Sequence, residues 1–193
     1  MQITLEGLHG SGELWLDIMR IICGNTYGKS FLDAGCHKAP YTPSLGFTER
    51  TYVDIQGRKL DHSEEQRYFI QDDVVEYLYF SKKHFDVIIA SDFLEHLTIE
   101  KGYEFIALIC MNSNKQIIFT PLGEYNITDD NHPDSHHSGW TPEMFVDKSP
   151  FNWLFIVLPN FHPTLEVGAF FAIRCEQDDQ LRIYNEIKNK YVK

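Results

Sequence analysis

The sequence has few cysteines and no long apolar run. Its four cysteines stand singly, without C-x-x-C spacing or the density of a disulfide framework: Cys23, Cys36, Cys110 and Cys175. A cysteine-rich zinc motif and a disulfide-stapled fold are therefore excluded. Apolar runs such as residues 105–111 fall far short of the ~20 residues that cross a bilayer. We expect reduced thiols, no signal peptide, no membrane association and a cytoplasmic location.

Basic residues are also scarce. The chain has 17 lysines and arginines against 28 aspartates and glutamates, which gives a formal net charge of -11. A chain with this charge repels a phosphate backbone, whereas nucleic-acid-binding domains are usually basic. The composition therefore predicts that nucleic acid is not a partner. It leaves the oligomeric state open.

What is present is the composition of an ordinary globular domain. The 193 residues are 43% hydrophobic and 23% charged, which suits one domain with an apolar core. We predict a single domain over residues 1–193. It consists of an N-terminal helical segment (1–28), a ligand-binding core (29–175) and a C-terminal helix (176–193).

Short apolar runs alternate with helical patterns through the core. Five of these runs indicate buried strands, at residues 30–34, 51–55, 68–71, 85–90 and 116–120. Helical spacing at residues 73–83 and 98–112 separates the later strands. This alternation predicts a doubly wound α/β fold with a parallel sheet.

The last part of the core shows a different pattern. Thr141 and Pro142 begin a short helix, because a capping hydroxyl followed by proline favours a helix start. Residues 153–158 and 165–174 then indicate two strands, and the turn between them is too short for a crossover helix. We expect a mostly parallel sheet that ends in an antiparallel strand pair.

Acidic residues follow three successive strands. Asp33 and Gly35 lie at the end of the first strand, Asp54 comes 21 residues after Asp33, and Asp72 and Asp73 follow the third strand. In open α/β sheets the ligand sits at the carboxyl ends of the strands, and an acid about 20 residues after the first turn binds ribose hydroxyls. These acids suit a ligand with a ribose, an exocyclic amine and a positive charge.

Taken together, these motifs resemble the class I S-adenosylmethionine-dependent methyltransferases, of the type that acts on small molecules. The resemblance covers residues 30–175 and is most specific over 85–97, where a strand runs into Leu-Glu-His-Leu, and over 137–143. It implies a Rossmann-like fold and S-adenosylmethionine as the cofactor. The implied reaction is methyl transfer to an oxygen or nitrogen nucleophile of a small polar acceptor.

The resemblance also implies a role for each motif. Asp33 and Gly35 would flank the methionine part of the donor, Asp54 would bind its ribose, and Asp72 with Asp73 would bind the adenine amine. Residues 92–96 would face the sulfonium and the acceptor. The complete set of expected donor-binding residues is Asp33, Gly35, Cys36, His37, Asp54, Ile55, Asp72, Asp73, Ser91, Asp92 and Phe93.

The first turn departs from the family pattern. Family members usually have three glycines in this turn, whereas here His37 and Ala39 occupy the second and third places. Histidine enters positive φ less readily than glycine, and its side chain limits the approach of a ligand. The departure predicts a shifted loop or a weaker affinity for the donor.

Histidines are the expected catalytic residues. A hydroxyl acceptor needs a base near neutral pH, and His96, His136 and His137 are the candidates by position. The last two lie in the segment 129–137, which is rich in histidine and aspartate. Ligands this close together in one loop rarely reach a single metal centre, so we expect a lid over the acceptor and no metal.

Two other classes of function stay open. A nicotinamide-dependent oxidoreductase has the same type of sheet and the ribose-binding acid, but it needs the close-approach glycine that His37 replaces. A catalytically silent donor-binding or interaction module also accounts for the altered turn.

Overall fold

A computed structural model describes residues 1–24, 29–57, 59–124, 135–148, 152–162 and 167–192. Within these residues it contains the following strands: β1 (Gln2–Thr4), β2 (Ser30–Ala34), β3 (Glu49–Asp54), β4 (Phe69–Gln71), β5 (Phe85–Ser91), β6 (Ser113–Pro121), β7 (Leu154–Leu158) and β8 (Ala169–Arg174). The described helices are α1 (Gly12–Cys23), α2 (Val74–Ser81), α3 (Ile99–Asn112), α4 (Pro142–Lys148) and α5 (Gln177–Tyr191). None of these helices has the length and apolarity needed to span a membrane.

The strands form one sheet in the order β1-β7-β8-β6-β5-β2-β3-β4. Every neighbouring pair is parallel except the two that involve β8, which runs antiparallel to both β6 and β7. The predicted α/β fold, a doubly wound and mostly parallel sheet that ends in an antiparallel strand pair, is thereby confirmed. The chain moves outward from β2 to β4 and then returns to β5, so the sheet reverses direction between β2 and β5.

Side chains alternate between the two faces of the sheet because successive residues of a strand point in opposite directions. In β5, Val87 and Ile89 pack in one core and Ile88 and Ala90 in the other. Helices α1 and α5 cover the first face, and α2, α3 and α4 cover the second. Burial on both faces explains why the strands appear in the sequence as continuous apolar runs.

Local capping residues fix the starts of several helices. Ser11 accepts a hydrogen bond from the N–H of Leu14 (3.1 Å) at the start of α1. Asp73 caps α2, and Thr98 caps α3. Each cap satisfies an N–H group that has no partner within its own helix.

Two parts of the architecture differ from what the sequence suggests. Strand β1 has only three residues, too few for a period-two pattern, and it joins the sheet only by pairing with β7. The crossovers from β2 to β3 and from β3 to β4 contain short 3-10 segments, Thr42–Leu45 and Ser63–Tyr68. The sheet therefore has an extra edge strand and no α-helix after its first turn.

Candidate active site

The candidate site lies where β2, β3 and β5 end. Their carboxyl ends meet at one edge of the sheet, since β2 pairs in parallel with both neighbours. Two cavities of about 260 and 220 Å³ open there and share four lining residues: Gly35, His37, Asp92 and His96. A third cavity of about 240 Å³ adjoins them and also contains Asp92 and His96. The reversal point of an open α/β sheet is where ligands usually bind.

The turn after β2 keeps a left-handed backbone although two of its residues are not glycine. The φ angles of Gly35, His37 and Ala39 are 69°, 48° and 47°. A left-handed conformation costs a non-glycine residue roughly 1–2 kcal/mol, and local hydrogen bonds offset this cost. The N–H of Gly35 donates to the carbonyl of Val53 (2.9 Å), and the N–H of His37 donates to Oδ2 of Asp54 (2.9 Å).

Gly35 is required by a close contact as well as by its φ angle. A Cβ at this position would lie 2.1 Å from a ring carbon of Phe93. The ring of Phe93 packs edge-on against Phe105, at 5.1 Å between ring centres. The turn after β2 and the turn after β5 are therefore in direct contact, and only glycine fits between them.

Asp33 is a buried carboxyl group at the wall of the 260 Å³ cavity. Its side chain is 3% exposed and accepts a hydrogen bond from the hydroxyl of Thr42 (2.5 Å). Burial raises the pKa of this carboxyl to about 7; the hydrogen bond from Thr42 opposes the rise, and the nearby charge of Asp54 adds to it. Asp33 therefore changes its charge near neutral pH.

Trp15 lines the same cavity and was not among the predicted site residues. Its indole N–H is buried and has no hydrogen-bond partner among the described residues. A buried donor without an acceptor costs about 1–3 kcal/mol. The residue lies in the predicted N-terminal helical segment, and nothing in the local sequence pattern distinguishes it from a tryptophan of the core.

Asp54 and the acids after β4 lie around the 220 Å³ cavity. Asp54 accepts hydrogen bonds from the N–H groups of His37 and Gln56 (2.9 and 2.8 Å), and Ile55 beside it is an exposed part of the lining. Asp73 lines the cavity and also caps α2. Asp72 is exposed and is not part of this lining; its carboxylate accepts the N–H of Asp73 (2.9 Å).

Asp92 lines all three cavities, as His96 does. It follows β5 with a φ of 50° and accepts a hydrogen bond from the hydroxyl of Ser91 (3.3 Å). The side chain reaches solvent through the cavities, but the surrounding protein replaces most of its bulk water and raises the pKa of its carboxyl. A carboxylate here faces both predicted parts of the site, the donor side and the acceptor side.

Glu95 is a second functional candidate that the sequence analysis did not single out. It is 2% exposed, lines the third cavity and accepts a hydrogen bond from the hydroxyl of Thr120 (2.9 Å). Burial raises the pKa of its carboxyl, and the nearby charge of Asp92 raises it further. The glutamate is visible in the sequence within the Leu-Glu-His-Leu segment, but the side chains that surround it, Thr120 and His136, come from distant parts of the chain.

The three predicted catalytic histidines have different surroundings. His96 lines all three cavities, and its Nδ1 lies 3.0 Å from the carbonyl oxygen of Ser135, so Nδ1 carries the proton in that bond. His136 lines the third cavity, with its ring centre 5.0 Å from that of His96. His137 is exposed and lines none of the three cavities. Residues 125–134, which include most of the histidine-rich segment, lie outside the described residues.

Comparisons with known proteins place this architecture in a class. The fold is that of the class I S-adenosylmethionine-dependent methyltransferases, so the resemblance in the sequence is confirmed at the level of the fold. A 1,6-didemethyltoxoflavin-N1-methyltransferase from Burkholderia thailandensis, solved with its acceptor and S-adenosylhomocysteine, is 16% identical, with a TM-score of 0.57 over 85% of this chain and 82% of that one. No protein-family model and no curated protein matches the sequence.

Two further structures widen the range of related proteins. A S-adenosylmethionine-dependent methyltransferase from Archaeoglobus fulgidus is 25% identical, with a TM-score of 0.51 over 72% of this chain and 67% of that one. The small RNA methyltransferase HEN1 is 17% identical, with a TM-score of 0.58 over 86% of this chain and 25% of that one.

The prediction that nucleic acid is not a partner is wrong. HEN1 acts on small RNA and has the same fold, so this fold does not restrict the acceptor to small molecules. The net charge of -11 was a weak argument, because it sums over the whole surface and an acceptor contacts only a small part of it. The class of acceptor is therefore open.

Proposed function

We propose that this protein is a S-adenosylmethionine-dependent methyltransferase that transfers a methyl group to an oxygen or nitrogen of a polar acceptor. The observation that carries the proposal is that Asp54 and the left-handed turn of Gly35, His37 and Ala39 line two adjoining cavities beside the reversal point of the sheet. Asp92 lines both of them and also a third cavity, which offers a separate space for an acceptor.

The residues of the 260 and 220 Å³ cavities fit the donor. Their volumes of about 260 and 220 Å³ together reach the range of roughly 300–1,000 Å³ that is typical of ligand pockets. A carboxylate has about four lone-pair positions, and Asp54 uses two of them for backbone N–H groups, so it can still accept from ribose hydroxyls. The unpartnered N–H of Trp15 is suited to the carboxylate of the methionine part.

The donor supplies an electrophilic methyl group on a positively charged sulfur. In the reaction the S–CH3 bond breaks as the bond from the acceptor oxygen or nitrogen forms, and the acceptor proton leaves to a base. Holding the two atoms in line provides most of the rate, about 7–11 kcal/mol in favourable cases. The carboxylate of Asp92 lies where the positive charge is expected.

The described geometry favours His96 and His136 over His137 for handling the acceptor proton. In its neutral form His96 has its proton on Nδ1, bonded to Ser135, so Nε2 is the nitrogen with a lone pair. His136 lies at the same cavity, whereas His137 is exposed outside it. Replacing each of the three histidines by alanine tests whether a histidine accepts the acceptor proton. Unchanged turnover in all three variants would refute this assignment.

The two alternatives have less support. A dinucleotide-dependent oxidoreductase requires glycine where the backbone approaches the pyrophosphate, and here His37 carries a side chain at that point. A silent donor-binding module needs no polar groups in the acceptor cavity, whereas this cavity contains Asp92, Glu95 and three histidines, His96, His136 and His162. We also propose a cytoplasmic location, since all four cysteines are free thiols.

Calorimetry with S-adenosylmethionine, S-adenosylhomocysteine and NAD tests the donor. We expect both sulfur compounds to bind and NAD not to bind. Asp54→Asn should weaken the affinity for S-adenosylhomocysteine at least tenfold, about 1.4 kcal/mol. Asp178→Asn removes the same charge at an exposed position of α5 and should leave the affinity unchanged. Absence of binding by either sulfur compound would refute the proposal.

A second experiment addresses the acceptor. Transfer of a labelled methyl group from the donor is measured onto a panel of small phenols, amines and carboxylic acids, and in parallel onto short RNA. Transfer to any member identifies the class of acceptor. Donor binding without transfer to any of them would favour the silent module over the enzyme.

A further inference from the structure

The third cavity contains a group of side chains suited to a metal ion. Glu95, His96 and His136 each present one ligand atom, and the three atoms lie within 4.8 Å of one another. The cavity has a volume of about 240 Å³ and borders the carboxyl end of β6 and the start of β8. A mixture of two imidazoles and one carboxylate is a common ligand set for transition metals.

The carboxylate of the group is buried and has no cationic partner within the described chain. Glu95 is 2% exposed, and no described lysine or arginine forms an ion pair with it. The hydroxyl of Thr120 donates to its Oε2 (2.9 Å). A buried carboxylate is costly unless it is paired or coordinates a metal, and hydrogen bonds to ligand oxygens are common around metal sites.

The imidazole of His96 has the orientation that a ligand needs. Its Nδ1 is hydrogen-bonded to the carbonyl oxygen of Ser135 (3.0 Å). Metal-binding histidines usually donate one ring N–H to a carbonyl or carboxylate, which fixes the ring and leaves the other nitrogen for the metal. The contact to Ser135 therefore fixes the tautomer of His96.

The backbone ties the two parts of the group together. The carbonyl oxygen of Glu95 accepts hydrogen bonds from the N–H groups of His137 (2.8 Å) and Ser138 (3.2 Å). These residues directly follow His136, so the segment that carries this ligand is fixed to the turn that carries the other two. The rings of His96 and His136 meet edge-on at 5.0 Å.

We propose that Glu95, His96 and His136 bind a divalent first-row transition-metal ion such as Zn²⁺, Co²⁺ or Mn²⁺. Ligand atoms about 2.1 Å from one metal lie roughly 3–3.5 Å from each other, so the ligand atoms, which lie within 4.8 Å of one another, approach each other by up to about 1.5 Å on binding. Mg²⁺ is less suited, because it prefers oxygen ligands. The sequence predicted no metal, because residues 129–137 alone make a poor ligand set, whereas these three ligands come from two distant segments.

The ion has a consequence for catalysis that rests on the proposed methyl transfer. Three protein ligands leave at least one coordination position open to the cavity, beside Asp92 and the donor side of the site. An acceptor oxygen bound there loses its proton more readily, because a divalent ion lowers the pKa of a bound hydroxyl. With the ion bound, the lone pairs of His96 and His136 hold the metal and do not themselves accept the acceptor proton, which passes to water instead.

Metal binding is tested without any donor. The full chain is treated with a chelator, dialysed and titrated with Co²⁺ and with Zn²⁺ in separate experiments. Calorimetry measures affinity and stoichiometry, and the visible absorption of Co²⁺ reports its coordination. Ligand variants are His136→Ala and Glu95→Gln, and the matched controls are His84→Ala and Glu49→Gln, at exposed positions outside the cavity.

We expect one ion per chain in the wild type and in both controls. Each ligand variant should bind Co²⁺ at least about tenfold more weakly and should change its absorption spectrum. A thermal melt confirms that each variant is folded, and Glu95→Gln retains the shape of the side chain if His136→Ala is unstable. The proposal is overturned if the wild type binds no ion, or if both ligand variants bind as well as the controls. Binding of S-adenosylhomocysteine in chelator is measured separately, so failure of the donor proposal is recognised independently.

Discussion

Replacing Gly35 with alanine tests whether the contact between the two turns of the site is essential. The substitution adds two costs. The backbone at φ +69° disfavours an L-residue by about 1–2 kcal/mol. The new methyl would also lie 2.1 Å from the Phe93 ring, and overpacking of this kind costs typically 1–3 kcal/mol. We therefore expect a total of about 3 kcal/mol.

Gly7 provides a matched control for this experiment. Its φ is +70°, and nothing lies within 4 Å of a Cβ built on it, so Gly7→Ala carries the backbone cost alone. Urea unfolding should show Gly35→Ala to be about 2 kcal/mol less stable than Gly7→Ala, a difference in Tm of roughly 4–8 °C for a chain of this size. Adding Phe93→Ala should abolish most of that difference. Equal losses for the two glycine variants would refute the argument from close contact.

Three further substitutions test buried polar groups. The pKa of Asp33 is about 7 in the folded protein, against an ordinary value of 3.8, because the fold favours the neutral carboxyl. This contribution to the free energy of unfolding is complete below pH 4 and is lost as the pH rises through 7. Asp33→Asn should therefore be more stable than the wild type above pH 7, by up to about 4 kcal/mol, and similar to it at pH 4; equal pH profiles in urea unfolding would contradict this. Trp15→Phe should retain stability and bind S-adenosylhomocysteine about tenfold more weakly by calorimetry; unchanged affinity would exclude the proposed contact. Ser138→Ala removes the hydroxyl that accepts a hydrogen bond from the indole N–H of Trp140 (2.7 Å) and donates one to the carbonyl of Leu97. The variant should be about 1–3 kcal/mol less stable, as measured by thermal melting. An unchanged Tm would show that water takes the place of the hydroxyl.

The parallel core of the fold was predictable because burial on both faces leaves a strong signal. The strand at Ser30–Ala34 and the helix start at Thr141 and Pro142 follow from apolar runs and capping residues that act locally. Strand β1 was not predictable. It consists of Gln2–Thr4 and depends on pairing with β7, about 150 residues later in the chain, so no local pattern identifies it.

The site shows the same division between local and distant information. Asp54 could be placed by its spacing from the first turn, because the interval between two neighbouring parallel strands is nearly constant. Glu95 could not be assigned, since its role depends on Thr120 and His136. The departure at His37 and Ala39 predicted a shifted loop or a weaker affinity for the donor. Both residues adopt the φ angles that glycine would take, and the weaker affinity stays a prediction. The residue types at this turn therefore predict its backbone conformation less well than do the hydrogen bonds that stabilise it.

The position of β8 between β6 and β7 has a consequence for the order in which the protein assembles. Strand β7 is made before β8 but pairs only with β8 and β1, so it cannot join the sheet until β8 has emerged. The five strands on the donor side can already pair at that stage, whereas Gly168 and Ala169 of the third cavity come last. During synthesis, the half that binds the donor is therefore expected to form before the half that receives the acceptor.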